Sequence, residues 1–314
     1  MNQSYSLFIN RPLGKNQITN SQNFSKMKKR LLVMTCLSLG IGVWSAKAQQ
    51  KEFKEVIRKN ITLANTSGNS LVVKNVFGSV TVEGYGGNEV VLEVEKIITA
   101  DNANDLEQGK EELTLEVVQE SDRVILYPNA PYIEFDKEKL RYNWCNNNDD
   151  IPYEHTLNFK LKVPNAVKIN VSTVNDGELL VKNTKGEYVE ANNVNGGIVL
   201  SNIMGKTKVH CINGDVDISY AKNPSIDSRY YALNGDINIS YQESLSAKIS
   251  FKSMNGEMFT DFDIDKQFMK TNKKEGSTGK PKYKYETRPV VQIGGGKVDF
   301  DFETLNGNVF IKKI

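Results

Sequence analysis

The sequence predicts a mainly β fold: a single-stranded β-solenoid (a β-helix or β-roll) of short repeats, with an N-terminal strand-helix-strand elaboration. Three observations predict it. In the middle of the chain glycines recur at a short and nearly constant spacing, hydrophobic residues alternate with polar ones beside them, and five glycines follow an asparagine. Short regular repeats are typical of chains that stack one strand-and-corner unit on the next and bury a continuous core.

The repeat is clearest at Gly186, Gly196, Gly205 and Gly214. Further units surround glycines near the start and the end of the body. In all nine units the residue three positions before the glycine is small, which indicates a crowded corner. These residues are Asn65, Asn75, Asn183, Asn193, Asn202, Cys211, Ala232, Ser253 and Thr304.

Between the corners the sequence alternates with a period of two, which indicates short strands with one buried face. The Asn-Gly pairs tolerate positive φ and suit tight bends. They are Asn195-Gly196, Asn213-Gly214, Asn234-Gly235, Asn255-Gly256 and Asn306-Gly307. A meandering sandwich also uses Asn-Gly turns, but its loop lengths vary, so the regular step of this sequence favours the solenoid.

Two units make one coil, so residues 165–265 are predicted to hold roughly five coils at the ~4.8 Å spacing of β-strands. The asparagines of the small-residue column, Asn183, Asn193 and Asn202, are predicted to face inward. There their amides would hydrogen-bond up the stack as a ladder.

The chain outside the repeats has other patterns. Residues 90–98 and 113–118 are predicted to be longer strands, and the acidic stretch 101–112 between them indicates a short surface helix. Residues 127–153 are rich in proline, asparagine and aromatic residues, and residues 266–288 hold eight basic residues against two acidic ones. Both stretches are predicted to be loops.

The N-terminus indicates export. Lys28-Lys29-Arg30, an apolar run from Leu31 to Trp44 and Ala46-Lys47-Ala48 have the order of a secretory signal peptide. The apolar run is shorter than the roughly 20 residues of a membrane-spanning helix. We therefore expect cleavage after Ala48 and a location in the periplasm or at the cell surface. Residues 1–26 are expected to be an upstream extension before the true start at Met27, with a long basic leader as the alternative.

The predicted organisation is an upstream extension (1–26), a signal peptide (27–48), an N-terminal β-rich part with a short helix and an aromatic insert (49–164), and solenoid repeats (165–314) that include a basic loop (266–288). Beyond Ala48 the chain keeps all 38 of its acidic groups and 33 of its 40 basic groups, so its charge is −5 instead of +2. This charge gives no global attraction to nucleic acid or anionic lipid.

Three segments together carry a family resemblance. They are the stretch from Leu161 to Gly177, which opens Leu-Lys-Val-Pro-Asn, the repeats with Asn-Gly followed by Asp, Glu or Asn, and the closing stretch from Ile293 to Ile311, which opens Ile-Gly-Gly-Gly. With them the chain resembles the bacterial putative-adhesin family of exported β-solenoid domains of unknown function, from about residue 60 to the C-terminus. The resemblance implies an envelope location and nominal adhesion, and it supplies no catalytic residues.

No catalytic, metal or cofactor site is expected. His155 and His210 are not spaced like the ligands of a zinc motif. His155 also falls at the same alternate positions as the hydrophobic residues of its predicted strand, which favours a place in the core. Paired carboxylates beside a basic residue would suit a polysaccharide-cleaving β-helix. Asp215, Asp217, Asp236, Lys208 and Arg229 are outward candidates for that chemistry. Outward polar residues are ordinary on solenoid strands, however, so an enzyme is the less favoured interpretation.

Two cysteines remain after the predicted cleavage, Cys145 and Cys211, and they are enough to form one disulfide in an oxidising compartment. Cys211 belongs to the column of small residues. The sequence therefore favours a small buried thiol at Cys211 over a bridge.

Two groups of residues are candidate ligand contacts. Tyr132, Tyr142, Trp144 and Tyr153 lie in the aromatic insert, where rings and amides suit sugar binding, although packing onto the solenoid explains them as well. Lys282, Tyr283, Lys284 and Tyr285 lie in the basic loop. Export disfavours nucleic acid there and favours anionic glycan, lipid phosphate or the chain's own acidic face, with a solvated loop as the alternative.

The expected function is a non-enzymatic binding or adhesion module of the cell envelope that presents a solenoid surface to a glycan or protein partner. The alternative is a periplasmic structural or signalling-accessory protein that binds another envelope protein. Open solenoid ends expose strand edges, so end-to-end association is a further expectation.

Overall fold

The computed structural model describes residues 50–63, 66–143, 151–275 and 281–314, and for residues 270–275 and 281–287 it concerns the backbone alone. The predicted mainly β fold is confirmed. In chain order the elements are β1 (Lys51–Thr62), β2 (Ser70–Lys74), β3 (Val80–Tyr85), β4 (Glu89–Ala100), α1 (Ala103–Glu112), β5 (Thr114–Gln119), β6 (Arg123–Asn129), β7 (Glu134–Asp136), β8 (Arg141–Asn143), β9 (Tyr153–Pro164), β10 (Lys168–Thr173), β11 (Leu179–Lys182), β12 (Tyr188–Asn195), β13 (Ile198–Ile203), β14 (Lys206–Asn213), β15 (Val216–Tyr220), β16 (Ser228–Asn234), β17 (Ile237–Tyr241), β18 (Ala247–Lys252), β19 (Met258–Thr260), β20 (Lys266–Glu275), β21 (Pro281–Ile293), β22 (Val298–Asn306) and β23 (Val309–Lys313).

Two large sheets contain nearly all of these strands. Sheet 1 has the order β1-β4-β9-β3-β11-β13-β15-β17-β23-β19. Sheet 2 has the order β20-β21-β18-β22-β16-β14-β12-β10-β2-β6-β5, and β7 and β8 form a separate hairpin. The middle of each sheet is parallel, and antiparallel strands border both sheets at the N-terminal end and sheet 2 at the other end.

The parallel strands alternate between the sheets. We call one strand of sheet 2 and the strand of sheet 1 that follows it a rung. In spatial order the rungs of the described chain are β6–β9, which has the β7–β8 hairpin between its two strands, β2–β3, β10–β11, β12–β13, β14–β15, β16–β17, β22–β23 and β18–β19. The predicted interval 165–265 holds five of them, but along the chain the stack already begins with β2, well before residue 165.

The rungs do not follow chain order at the C-terminal end. The last rung of the chain, β22–β23, lies between β16–β17 and β18–β19, and β22 pairs in parallel with both β16 and β18. Strand β22 is thereby central, and it buries Phe300 and Phe302. The Phe302 ring stacks on Tyr230 with 4.6 Å between centroids. The exchange is possible because each rung offers the same parallel pairing edges to its neighbours, and the aromatic contacts of β22 suit this position.

Residues of alternating strands fill the space between the sheets. Small and branched side chains such as Val189 and Ala191 occupy the middle rungs, whereas aromatic rings occupy the later ones. Three buried tyrosine hydroxyls meet there, with 2.7 Å between the oxygens of Tyr220 and Tyr230 and 3.0 Å between those of Tyr241 and Tyr230. Each hydroxyl thus has a partner where water cannot reach it, and burial raises the pKa of all three.

Part of the small-residue column forms the inside of a corner. Its members Asn193, Cys211, Ala232 and Thr304 are in register on successive strands of sheet 2, together with Thr173 of β10. The Asn193 amide donates to the carbonyls of Gly177 and Gly197 at 3.0 and 3.1 Å. The Asn193 side chain therefore supplies hydrogen bonds to one carbonyl group of its own bend and to one of the neighbouring rung.

The asparagine ladder lies elsewhere than predicted. Asn193 is buried, but Asn183 and Asn202 have φ values of 60° and 54° and pair with each other at 2.8 Å outside the core. Those two positions occupy left-handed bends that turn the side chain outward. The ladder is formed instead by the asparagines of the Asn-Gly corners and Asn175, with amide-to-amide distances of 2.7 to 2.9 Å, in the order Asn175, Asn195, Asn213, Asn234, Asn306 and Asn255.

Two predicted loops contain strands. Residues 266–275 and 281–288 fall in β20 and β21, which pair antiparallel, and β21 continues sheet 2 by pairing with β18. The alternation of lysine and tyrosine in this stretch is a strand pattern that its charge concealed. Part of 127–153 is also ordered as strand, because it contains the end of β6 and the β7–β8 hairpin. The predicted order of two strands around a helix matches β4, α1 and β5.

Candidate functional site

The outward side chains of sheet 2 form a polar face. Parallel pairing in register aligns equivalent residues of adjacent strands, which lie roughly 4.8 Å apart. One such row runs through the middle of the face and consists of Asn170, Glu190, Lys208, Arg229, Asp301 and Ser250. A second row lies beside it: Tyr188 pairs with Lys206, Lys248 pairs with Asp299, and Asp299 donates its backbone N–H to Asp227, the residue directly before β16. Charged groups of both signs thus stand close together on this face.

The aromatic insert covers the N-terminal end of this face. Val72, Ile125 and Tyr127 form a small buried cluster there, and Phe135 packs on it with its ring 4.4 Å from that of Tyr127. The Tyr142 hydroxyl donates to the Lys74 carbonyl at 2.6 Å. Tyr142 therefore packs the β7–β8 hairpin onto sheet 2. Trp144 and the Asn146–Asp150 run lie outside the described residues.

Lys74 lies beneath this insert and is nearly inaccessible. Its ammonium donates to Asn170 Oδ1 at 2.8 Å. Desolvation lowers the pKa of Lys74 to about 8, against the opposing attraction of Glu190. The insert thus seals the end of the face and covers one of its cations.

Tyr132 and Tyr153 belong to a different place, between sheet 1 and α1. Tyr153 is buried, and its hydroxyl donates to Glu112 Oε2 at 2.8 Å. The Tyr132 hydroxyl lies 2.9 Å from His155 Nδ1, and burial raises the pKa of Tyr132 to about 12. The structure therefore separates these two tyrosines from Tyr142, and the three do not form one platform.

His155 is a core histidine. Desolvation, with a smaller contribution from the charge of Lys96, lowers the pKa of His155 to about 4. Its Nε2 atom is buried and has no hydrogen-bond partner among the described residues. A neutral ring at neutral pH fits this setting, whereas a charged one does not.

A groove of about 770 Å³ occupies the C-terminal end of the sheet 2 face. Its floor comes from β14, β16, β22 and β18, and its far wall from the β20–β21 hairpin, a stretch whose sequence predicted a loop. The lining residues are Lys206, Thr207, Lys208, Asp227, Ser228, Arg229, Lys248, Ser250, Phe268, Arg288, Val290, Asp299, Phe300 and Asp301. The groove thus gathers residues that are far apart in the chain.

Asp301 organises the charges of the groove. Its carboxylate accepts from Arg288 at 2.9 Å and from the Ser250 hydroxyl at 2.7 Å, and Arg229 Nε lies 3.4 Å away. Arg288 also donates to Glu303 at 3.2 Å, so its guanidinium is held by two carboxylates. The arginine at the wall is therefore positioned before any ligand arrives.

Other cations of the groove are less engaged. Lys206 and Lys248 make no ion pair with any described residue. Lys208 pairs with Glu190 at 2.6 Å, outside the lining, and the Arg229 side chain is 70% exposed. The lining contains five cations and three carboxylates, and Glu190 and Glu303 pair with two of the cations from outside it, which leaves Lys206 and Lys248 without a carboxylate partner among the described residues.

The carboxylates proposed for catalysis are scattered. Asp215 and Asp236 lie at the corners, where Asp215 accepts from the Asp236 backbone N–H at 2.9 Å and Asp236 accepts from Asn308 at 2.7 Å. They cap the next rung instead of facing a substrate. Asp217 lies on the outer face of sheet 1, between Val199 and Asn238. None of them faces Lys208 or Arg229 across a common cavity.

The four predicted residues of the basic stretch lie on β21, opposite β20. Lys282, Tyr283, Lys284 and Tyr285 pair with residues 274, 273, 272 and 271 in that order, and Arg288 of the same strand lines the groove. The sequence pointed to Lys208 and Arg229 but not to Lys206, Lys248 and Phe268. No sequence signal joins these residues, because only the fold brings their strands together.

Cys211 is a free buried thiol among the corner residues. Burial raises its pKa to about 11. Cys145 lies outside the described residues. Within the described ranges, no helix is long and apolar enough to cross a membrane.

Three solved structures are similar to this chain at low TM-score. A putative cell adhesion protein from Clostridium sporogenes ATCC 15579 has 12% identity and a TM-score of 0.41, covering 84% of this chain and 100% of its own. A putative lipid binding protein from Parabacteroides distasonis ATCC 8503 has 14% identity and 0.33, covering 83% and 96%. A putative adhesin from Bacteroides fragilis NCTC 9343 has 8% identity and 0.29, covering 83% and 97%.

A search of curated proteins found no match. The sequence model of the Toastrack DUF4097 family, in contrast, matches residues 52–289, about three quarters of the chain. This match confirms the predicted family resemblance. The chain belongs to the Toastrack DUF4097 family.

Proposed function

We propose that the protein is an exported, non-enzymatic binding module of the cell envelope, in which a β-solenoid of stacked rungs presents the outer face of sheet 2 to a glycan or protein partner. The observation that carries the proposal is the groove at the end of this face. Lys206 and Lys248 line it without an ion pair to a described residue, and its Arg288 is fixed by Asp301 and Glu303. Such convergent polar groups in a concave site are suited to binding.

The proposal includes the expected processing and layout. Residues 27–48 act as the signal peptide after an upstream extension at 1–26, and the mature protein starts at Gln49. Residues 49–164 form the N-terminal part and the rungs continue to residue 314. The insert residues Tyr142 and Trp144 and the β20–β21 hairpin border the binding face, whereas Tyr132 and Tyr153 hold the base of the insert between sheet 1 and α1.

The absence of an enzymatic role is also part of the proposal. Catalytic hydrolysis of a glycan needs two carboxyl groups across one bond. The outward carboxylates Asp215 and Asp236 instead hold backbone N–H groups of neighbouring rungs. Their removal is expected to lower stability.

A second candidate function is a periplasmic structural or signalling-accessory protein that binds another envelope protein. It is favoured by β19, the last strand of sheet 1 in the described chain. Phe259 on this strand is 46% exposed and stacks on Phe310 with 5.2 Å between centroids. An edge strand with an exposed aromatic pair is a template for strand addition by a partner.

Protease shaving of intact cells tests the first function against the second. Immunoblotting follows the protein and a periplasmic control, and mass spectrometry identifies the mature N-terminus. Degradation of the protein with the control intact supports contact with external partners. Protection until the envelope is permeabilised, together with co-purification of an envelope protein that Phe259→Ala abolishes, supports the second function. An unprocessed N-terminus in the cytoplasmic fraction overturns both.

A further inference from the structure

We propose that the groove at the end of sheet 2 binds an acidic oligosaccharide, with Lys206, Lys248 and Arg229 contacting its acidic groups and Phe268 contacting a sugar ring. The inference deepens the proposed binding function and rests on it. It assigns a ligand class to the groove, an acidic carbohydrate bearing carboxylate or phosphate groups.

The first step is charge. Lys206 and Lys248 project from strands at opposite sides of the floor, with β16 and β22 between them. Neither has an ion pair with a described residue, and the longest contact of Asp301 is the one to Arg229, at 3.4 Å. Acidic groups of a ligand can therefore reach three cations without breaking a short ion pair of the protein.

The second step is the mixture of charges. Asp227 and Asp299, both exposed, lie between the two lysines: Asp299 pairs with Lys248, and Asp227, directly before β16, accepts the Asp299 backbone N–H at 2.8 Å. Carboxylates have further acceptor positions for hydroxyl groups and repel anions. A ligand that matches this row has hydroxyls between separated acidic groups, which is the pattern of an acidic oligosaccharide. A polyphosphate or a DNA backbone has no neutral donor between its charges.

The third step is the apolar wall. Phe268 is 40% exposed on β20, and Val290 beside it on β21 is 4% exposed. Sugar C–H faces pack against aromatic rings while sugar hydroxyls take hydrogen bonds. One exposed ring beside many polar groups fits a carbohydrate better than an acyl chain, which would need a continuous apolar lining.

The size of the groove agrees with this class. A volume of about 770 Å³ lies within the range of roughly 300–1,000 Å³ found for small-molecule sites. We therefore use a short charged oligosaccharide as the probe.

Isothermal titration calorimetry of the full mature chain with trigalacturonate tests the proposal, with maltotriose as the uncharged probe. Trigalacturonate is expected to bind and maltotriose to bind at least tenfold more weakly. Lys206→Ala with Lys248→Ala should weaken trigalacturonate binding by at least about tenfold, because charge-assisted hydrogen bonds are lost. The matched control is Lys160→Ala with Lys312→Ala, which removes two exposed lysines from the outer face of sheet 1 and should leave binding unchanged.

Competition identifies the acidic group. Displacement of trigalacturonate by glucuronate assigns a carboxylate, and displacement by glucose 6-phosphate assigns a phosphate; either result supports an acidic saccharide. Equal displacement by inorganic phosphate alone overturns the proposal, as does equal loss of binding in the sheet 1 control. Phe268→Ala should weaken trigalacturonate more than it changes phosphate binding.

The outcomes separate this inference from the proposed function. If no acidic saccharide binds while intact cells still lose the protein to protease, the groove assignment fails and the envelope function stands. If the protein is cytoplasmic, the envelope function fails whatever the groove binds. Thermal unfolding of both double variants should match that of the wild type, which shows that a loss of binding is not a loss of fold.

Discussion

Gly214 shows how the corners act at the scale of single residues. Its φ is 152°, in a region that favours glycine, and a Cβ there would lie 2.5 Å from the Gly196 carbonyl oxygen of the neighbouring rung. The contact is with backbone, so it cannot be relieved by a side-chain rotation. The Asn-Gly pattern of the sequence is thus required by the spacing between rungs as well as by the bend itself.

We expect Gly214→Ala to lower the free energy of unfolding by about 2 to 4 kcal/mol, because it adds both a clash and an unfavourable φ. Chemical denaturation followed by circular dichroism measures the change. Gly86→Ala is the control, since a Cβ at Gly86 meets nothing within 4 Å. Equal effects of the two substitutions would contradict the role assigned to the corner.

His155 gives a pH dependence at the same scale. Its pKa is about 4 in the fold, against the ordinary 6.5, because burial disfavours the charged ring. Below pH 6.5 the unfolded chain takes up a proton that the folded chain refuses until about pH 4. The folded state is therefore destabilised as pH falls through this window, and the full stability is present above pH 6.5.

We expect His155 to contribute a loss of up to about 3 kcal/mol between pH 7 and pH 4, because its pKa falls from 6.5 to about 4 on folding. Urea denaturation at several pH values should show a shallower slope for His155→Gln than for the wild type. His210→Gln, which changes an exposed ring, should remove less of the slope. If the unfolding free energy of His155→Gln depended on pH as steeply as that of the wild type, His155 would not be the source of the pH dependence.

The asparagine ladder acts at the scale of elements. Each Asn-Gly corner donates its amide to the asparagine of the neighbouring rung, over distances of 2.7 to 2.9 Å. Asp215, Asp236 and Asn308 form a parallel series in which a side-chain oxygen accepts the backbone N–H of the next rung. The residues after each corner therefore fix the register between rungs.

The loss of stability on removing one asparagine of the ladder should depend on how many ladder hydrogen bonds that asparagine makes. Asn213 both donates to Asn195 and accepts from Asn234, whereas Asn255 only donates, to Asn306. We expect Asn213→Ala to lower the free energy of unfolding by about 1 to 2 kcal/mol and Asn255→Ala by about half as much. Thermal unfolding of the two single variants tests this order. A larger loss for Asn255→Ala would exclude the ladder as the cause.

At the scale of the whole molecule, the last rung, β22–β23, connects the C-terminal end of both sheets to the other strands. Within the described part of the chain, β18, β21 and β20 connect to the strands from β16 to β5 of sheet 2 only through β22, and β19 connects to the other strands of sheet 1 only through β23. The strands β22 and β23 thus connect the β20–β21 wall of the groove, through β18, to the rungs from β2 to β17. The pairing of residues 247–293 with the rest of the stack therefore depends on the last rung, because β22 lies between β16 and β18.

We expect a chain that ends at residue 297 to lose the cooperative folding of residues 247–293, while the rungs from β2 to β17 keep theirs. Hydrogen exchange with mass spectrometry should show fast exchange in β18 and β21 and protection in β12 and β14. The control is Phe259→Ala at the exposed sheet edge, which should leave exchange in β18 slow. Slow exchange in β18 of the truncated chain would refute the dependence on β22.

The sequence determined the local structure of this protein. Period-two alternation, crowded corners and Asn-Gly bends depend on neighbouring residues, so the mainly β class and the strand-helix-strand order of β4, α1 and β5 were predictable. The tertiary structure alone decided that β22–β23 enters between earlier rungs, that Asn175 to Asn255 form the ladder, and that Lys206, Lys248 and Phe268 share one groove. The physical reason is the equivalence of the repeats: similar units pair with similar units, so local pattern cannot choose among partners, and only the fit of side chains such as Phe300 and Phe302 between the sheets does.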